Sequence, residues 1–296
     1  MTGAVDYVLI GHIAADLANG ERFLGGTVSY ASPVIGAFGL RVGVLTRAAT
    51  DEPLLAQLAP FAQIRALSSP VTTTFENIYE PEGRRQYVRA VADPLGVEDV
   101  PPEWLSASLV QLGPIAGEVD PQLVFAFPQA IKLLTLQGWL RRRDEEGRVH
   151  FKRWFDPAVL KAVDIVVFSE EDIREAPDLE TEFARSVRHL IVTRGENGGT
   201  YYRDGEAIPY AAVPVAAHHL TGAGDVFAAS LLSCLHILNQ QNAVPGDKFA
   251  HMQTAISVSA ALAAISVTRA GLDSAPTPQE VQQTLSTIAR SGEKND

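Results

Sequence analysis

The stretch Leu220-Thr221-Gly222-Ala223-Gly224-Asp225-Val226-Phe227 constrains this chain more than any other. Ala212 to Ala216 before it are small and β-branched, and Val226 to Leu238 after it are almost wholly apolar. A β-type run therefore passes into a helical one through two glycines that flank one alanine. Glycine lets bare backbone come close to a ligand. The first amides of a helix have no partner within it, and the helix dipole there favours negative charge. The junction predicts an anion cradle suited to phosphate. Asp225 is the odd member, because a carboxylate repels phosphate. It fits if it takes a proton from a group attacking that phosphate. The same residues fit equally well a plain helix start, with turn glycines and a capping Asp.

A length of 296 residues suits one large α/β domain or two ordinary ones. With 46% hydrophobic and 20% charged residues, the chain can bury a sizeable core. A formal charge of −11 argues against a general nucleic-acid binder, so an anionic substrate needs locally placed donors. The single cysteine, Cys234, excludes an internal disulfide and a cysteine-cluster metal site. The amino terminus carries no basic, leader-like region, and no apolar run reaches the roughly 18 residues that span a bilayer. A soluble, cytoplasmic protein without a membrane partner is expected.

In chain order, Tyr7 to Ile13 reads as a central strand buried on both faces. Asp16 falls just past its carboxyl end, the edge where open α/β sheets bind ligands; a turn-forming Asp would look the same. Gly25-Gly26 then leads into a helical pattern reaching Phe38, and Arg41 to Thr46 reads as a second strand. Thr72 to Tyr79 and Arg84 to Val88 flank a turn at Glu80-Pro81-Glu82-Gly83. Their polar alternation predicts a hairpin covered on one face only, serving as surface decoration or as a lid. Short apolar runs follow at Leu109–Leu112, Ile131–Leu136, Val163–Phe168 and His189–Val192. Helical segments at Asp120–Phe127, Pro157–Ala162 and Thr181–Val187 separate them. This βα rhythm predicts a mostly parallel sheet with helices on both faces. Thr200 to Ala212 reads as a hairpin around Asp204-Gly205, and the last third as helices at Lys248–Ile265 and Pro278–Ile288. No repeat, low-complexity tract or linker interrupts the chain, so one domain over residues 1–296 is expected.

Several mechanisms lack their residues. There is no G-x-x-x-x-G-K-[ST] phosphate loop and no G-x-S-x-G elbow, and H-R-D and D-F-G are absent. Gly222-x-Gly224 is followed by Phe227 rather than a third glycine and lies late in the chain, which weakens a dinucleotide reading. His218 and His219 are adjacent and on a strand would face opposite ways, so they do not make a metal pair.

Thr221 to Phe227 resembles the carboxyl-terminal signature of the ribokinase-like (PfkB) carbohydrate kinase family, D-T-x-G-A-G-D-x-F. The likeness extends over nearly the whole chain. The first strand with Asp16 resembles the family's substrate-binding start, Gly25-Gly26 its glycine pair, and the polar hairpin its β lid, formed here by about 14–27 and 71–92. Val192-Thr193-Arg194-Gly195 with Gly198 is similar to its nucleotide-side strand and turn. Val267 to Gly271 resembles the loop beside its adenine and monovalent-cation sites. The resemblance implies a doubly wound α/β sheet with a β lid, and ATP-dependent phosphorylation of a hydroxyl on a sugar, polyol (inositol included) or nucleoside. Asp225 would be the general base, kept ionised by the helix N-terminus. The amides of Gly222, Ala223 and Gly224 would form the anion hole. Asp16, Gly25, Gly26, Tyr30 and Gln137 would face the acceptor. Thr193, Gly195, Gly198, Thr221 and Gly271 would face ATP, with Mg2+ on its phosphates near Glu171 and Asp172, and a monovalent cation such as K+ nearby. Lid strands in this family pair between subunits, so a homodimer through the lid is an expectation.

Three positions depart from the family pattern. His219-Leu220 stands for the leading Asp-Thr, Ser169-Glu170-Glu171-Asp172 for N-x-x-E, and Tyr30 for the asparagine after the glycine pair. Tyr30 points away from a ribokinase-like sugar pocket. Gln137-Gly138-Trp139-Leu140-Arg141 resembles a segment found near inositol and nucleoside kinases. His219 and Ser169 also motivate an alternative, a sugar- or nucleotide-binding protein that keeps the fold without catalysis.

Overall fold

Tyr7–Ile10 (β1) is buried along its whole length and centres the molecule. The computed structural model describes residues 4–18, 20–80 and 83–292. After β1 come two short strands, Ala14–Ala18 (β2) and Glu21–Gly25 (β3), then the helix Thr27–Ala37 (α1). Val42–Ala49 (β4), the single turn Leu55–Leu58 (α2) and Gln63–Ser69 (β5) follow, and then the hairpin Thr74–Glu80 (β6) and Gly83–Ala90 (β7). The middle of the chain holds Leu109–Leu112 (β8), Ile131–Thr135 (β9), and the hairpin Arg141–Arg143 (β10) and Val149–Phe151 (β11). Next are Pro157–Ala162 (α3), Ile165–Ser169 (β12), Asp178–Ser186 (α4) and His189–Thr193 (β13). The hairpin Gly199–Arg203 (β14) and Glu206–Tyr210 (β15) precedes three helices, Ala223–Gln241 (α5), Met252–Ser266 (α6) and Pro278–Gly292 (α7).

Nine strands form one sheet in the order β15-β14-β13-β12-β9-β8-β1-β4-β5, parallel apart from the antiparallel pairings of β14. Helices cover both faces, as the βα rhythm requires. Along β1, Tyr7 and Leu9 join a core with Val28 and Ile35 of α1, Leu231 of α5 and Ile256 of α6. Val8 and Ile10 join the opposite core with Trp104, Phe127, Leu160 and Phe183. The period of two divides one apolar run between two cores. Each fully buried side chain of this size stabilises the fold by about 1.5–3 kcal/mol.

Strand order reverses between β1 and β8: β4 and β5 extend the sheet one way, β9, β12 and β13 the other. A crevice opens beyond the carboxyl ends of strands at such a point. Beside it stands a separate four-stranded sheet, β3-β2-β6-β7, whose strands fall within the segments expected for the lid. Pro81 and Glu82 of its expected turn lie outside the described residues.

Some local expectations are corrected. Residues 212–216 form no strand; β15 ends at Tyr210 and the exposed chain beyond contains Pro214, which has no amide to donate. Asp16 lies inside β2 rather than in a turn after β1. The segment 120–127 forms a 3-10 turn, Pro121–Phe125, capped by the Asp120 carboxylate on the Gln122 amide. Strand β5 and the β10–β11 hairpin are additions to the expected elements; neither carries a β-branched apolar run, and β10 is Arg141-Arg142-Arg143.

Candidate active site

Helix α5 begins at Gly222, whose φ of 86° suits glycine and strains other residues. A side chain there would also strike the Tyr30 ring, with Cδ1 2.5 Å from the added carbon. No side chain caps this helix start. The Ala223 amide turns back onto the Leu220 carbonyl at 3.3 Å, so among the expected donors it is already engaged. Gly224 is exposed, and a carbon added to it would meet nothing within 4 Å.

Asp225 sits in the first turn of α5, where the dipole should hold its carboxyl low. Burial wins instead. Desolvation pushes the carboxyl up to about 6, assisted by the negative charges of Asp172 and Asp16 and opposed by a hydrogen bond from Thr27 and the positive charge of Arg141. At pH 7 such a group is still about nine-tenths ionised, and it accepts a proton more readily than an ordinary Asp.

Asp16 approaches from β2. Its carboxylate lies against Gly25, where any side chain would collide with it. Gly26, with φ at 90°, heads α1; a carbon added there would lie 2.6 Å from the His12 carbonyl oxygen. Thr27 follows directly and reaches Asp225, so the glycine pair and the α5 loop meet through one hydrogen bond. Tyr30, one turn further along α1, is buried beneath Gly222. Burial raises its hydroxyl well above the usual range, reinforced by Asp16 and then Asp225. Tyr30 thus supports the Gly222 turn, and both Asp16 and Asp225 act on its hydroxyl.

Gln137 opens the 3-10 turn Gln137–Leu140, and its amide donates to Asp172 Oδ1 at 3.1 Å. The other oxygen of Asp172 accepts the Ser169 amide at 2.9 Å and closes a capping box. Asp172 therefore has structural duties that its expected metal role did not include. Glu171, on the same turn, is exposed. Among the described residues no group of three or more His, Cys, Asp or Glu side chains is arranged to hold a metal. This donor set fits Mg2+ that arrives on donor phosphates and needs one or two carboxylates, and does not fit a caged ion.

The residues expected to face a nucleotide are spread along the same edge. Thr193 ends β13 opposite Gly199. Gly195 (φ 53°) and Gly271 (φ 58°) both have open space where a side chain would stand, whereas Gly198 is pressed against the Tyr210 carbonyl for structural reasons. Thr221 is exposed before Gly222, and the amides of His218 and His219 bind the Val267 carbonyl at 2.8 and 3.0 Å. That ties the loop before α5 to the end of α6 and the Gly271 turn.

Two residues beside the expected base were not singled out by the sequence for a role. Thr27 had a local signal, being the first helical residue after the glycine pair. Arg141 had only its place in the Gln137–Arg141 segment that resembles one near inositol and nucleoside kinases; its proximity to Asp225 depends on how β10 folds back.

The pfkB family carbohydrate kinase description matches residues 157–280. An inositol 3-kinase of Oryza sativa subsp. japonica is 28% identical over 229 residues, covering 72% of this chain and 57% of the relative. One of Zea mays is 29% identical over 177 residues, covering 57% and 46% respectively. The chain spans about half the length of these curated relatives. Among solved structures, a pyrophosphate-dependent kinase of the ribokinase family, complexed with a pyrophosphate analogue and myo-inositol, superposes with a TM-score of 0.75 at 19% identity. It covers 94% of this chain and 99% of its own. Ribokinase from Thermotoga maritima gives 0.70 at 18% identity, over 95% and 99%. The fold is ribokinase-like, and residues 157–280 carry the match to the pfkB family of carbohydrate kinases.

Proposed function

We propose that this protein transfers a phosphoryl group to a hydroxyl of a small polyol, an inositol being the favoured acceptor, with Asp225 as general base. The observation that carries this reading is the position of Asp225. A carboxyl pushed up to about 6 lies at the start of α5, hydrogen-bonded to Thr27 and within electrostatic reach of Asp16. As the acceptor oxygen attacks, its proton passes to Asp225. The new O–P bond forms while the bond from phosphorus to the donor's bridging oxygen breaks, and the departing phosphate keeps the electron pair. A loose transition state asks little basicity of Asp225, because the proton leaves late. Asp16 and the Gly25-Gly26 backbone orient the acceptor, and amides at the Gly222–Gly224 turn meet charge on the transferring group. Glu171 would be the carboxylate nearest a donor-bound Mg2+, and that ion would supply charge neutralisation. The small β-sheet serves as the lid that excludes water.

Support for inositol comes from the two inositol 3-kinase relatives and from the similarly folded kinase solved with myo-inositol. The donor has two readings. ATP suits the Thr193–Gly198 and Gly271 turns, where Gly195 and Gly271 leave room for a nucleotide. Pyrophosphate is the donor named for the similarly folded kinases. The test measures acceptor phosphorylation from Mg-ATP and from Mg-pyrophosphate across inositols, sugars and nucleosides, beside Asp225→Asn. Inositol-dependent transfer that collapses in the variant supports the proposal, and the productive donor is read directly. Transfer that survives Asp225→Asn removes Asp225 from the mechanism. Binding without turnover on any acceptor favours the non-catalytic alternative.

A further inference from the structure

The chain crosses between the nine-stranded sheet's side of the molecule and the small β-sheet four times: from β1 into β2, from β3 into α1, from β5 into β6, and out of β7. His12, fully buried, stands where all four crossings meet. It lies on the first of them itself. Its carbonyl closes on Gly26 at the second, leaving 2.6 Å to a carbon placed there. Its ring Nδ1 lies 2.7 Å from the Thr73 hydroxyl at the third, and Nε2 lies 3.0 Å from the Asp93 carbonyl at the fourth.

These partners fix the state of the ring. A carbonyl only accepts, so Nε2 carries the hydrogen and donates to Asp93. Burial lowers the ring's pKa and favours its uncharged form, against the negative charge of Glu118 and the bond to the Asp93 carbonyl. Nδ1 is then bare and accepts from the Thr73 hydroxyl. The Thr73 oxygen in turn accepts the Ala92 amide at 3.0 Å, and the Thr73 carbonyl accepts the Ala15 amide of β2 at 2.8 Å. Buried groups anchor the same point to the main sheet. The Ile13 amide donates to the Thr46 hydroxyl of β4 at 2.9 Å, and the Asp93 amide to the Ser69 hydroxyl of β5 at 3.0 Å. The His12 amide donates to the Glu118 carboxylate at 3.2 Å, which also accepts the Ile115 and Ala116 amides. The chemistry at Asp225 accounts for none of these side chains. Yet Asp16 lies four residues beyond His12 on β2, and Gly26 leads directly to Thr27 and so to the base.

We propose that His12 is a positioning residue: as the neutral Nε2–H imidazole it fastens the four crossings together and sets how the small sheet, with Asp16, is seated over the site. Its effect on catalysis rests on the phosphoryl-transfer reading; the fastening does not. A sheet seated loosely over a phosphoryl-transfer site admits water as a competing nucleophile.

The experiment compares wild type with His12→Ala, His12→Gln and Thr73→Val, after melting curves show that each folds. Where His12→Ala fails to fold, Thr73→Val, which removes only the hydroxyl, carries the comparison. Nitrogen NMR of the wild-type imidazole at pH 7 should show Nε2 protonated and Nδ1 bare; a charged ring or the other tautomer would overturn the proposal. Amide hydrogen exchange, which needs no turnover, compares β2 and β6 with β12 and β13. The expected result is exchange about tenfold faster or more in β2 and β6 of His12→Ala, with β12 and β13 unchanged. His12→Gln, which keeps a donor toward Asp93, should recover part of the difference. Faster exchange throughout the molecule would make His12 an ordinary core residue and overturn the proposal, as would wild-type exchange in β2 and β6. With the productive donor, the share of donor lost to water rather than passed to the acceptor should rise about tenfold in His12→Ala and fall back in His12→Gln. An unchanged share would overturn the positioning role. If wild type itself transfers nothing from either donor, the kinase reading fails separately. Exchange and NMR then decide: loosening confined to β2 and β6 would still support the fastening, and uniform loosening would overturn it.

Discussion

Two helices in this molecule begin at glycine, and their glycines do different things. At the start of α1, Gly25 and Gly26 are hemmed in by protein: the Asp16 carboxylate lies against one and the His12 carbonyl against the other. At the start of α5, Gly222 is hemmed in by Tyr30, but Gly224 faces open space. A glycine with protein at its Cα is explained by the fold alone. One with nothing beside it is explained by what must come close from outside. The lesson is that the first helix start is scaffold for Asp16 and Thr27, while the second leaves a bare surface beside Asp225 where a phosphate can sit.

The comparison is broken most severely at Asp225 itself. Asp225→Asn lowers turnover by about 100- to 10,000-fold, measured as acceptor phosphorylation at saturating donor, because proton acceptance is lost while the glycine loop is kept. Gly222→Ala comes next. It forces a positive φ on a residue with a side chain and drives that side chain into Tyr30, so urea unfolding should show a loss of about 2–3 kcal/mol. A neutral outcome there would mean that Tyr30 and the loop move apart freely, and the contrast between the two helix starts would lose one leg.

The third effect is a pH dependence. The Asp225 carboxyl holds its proton up to about 6 in the folded chain, against 3.8 as its ordinary value. A raised acid pKa means that ionisation costs the folded state. The cost is full above pH 6, shrinks as pH falls, and is gone below 3.8. Asp225→Asn should therefore be more stable than wild type at pH 8, by about 1–3 kcal/mol, with the gap closing toward pH 4. Activity follows the opposite sense, its acid limb falling below about pH 6 as the base is protonated. Paired denaturation series at pH 4 and 8 check the first statement, and a pH–rate profile the second. A stability gap independent of pH would show that Asp225 is not desolvated in this way.

The smallest effect on folding sharpens the contrast furthest. Gly224→Ala meets no atom and replaces a poor helix former, so stability should hold or rise by up to about 1 kcal/mol. Turnover should nevertheless fall, because the added methyl occupies the space left for phosphate. Full activity in that variant would remove the bare surface from the mechanism.

The sequence by itself determined the parts that depend on local pattern. Apolar runs with β-branched residues marked the parallel strands, Asp204-Gly205 marked the β14–β15 turn, and the glycine pairs marked two helix starts. Each is a statement about neighbours in the chain, where periodicity and φ preferences act. It also placed Asp225 at a helix N-terminus, and from that local fact alone the carboxyl should have been held low.

Only the tertiary structure decided that desolvation outweighs the dipole there, with Thr27 of α1, Arg141 of β10, Asp172 and Asp16 of β2 all acting on one carboxylate. The same holds for Tyr30, read from sequence as facing the acceptor and found to lie under Gly222. It holds for Asp172, read as a metal ligand and found to cap its own turn while holding Gln137. Arg141 shows the limit most clearly. Its residue type was visible, but a charge acts through distance in space, and that distance is set by a hairpin whose three-residue strands are too short to announce themselves.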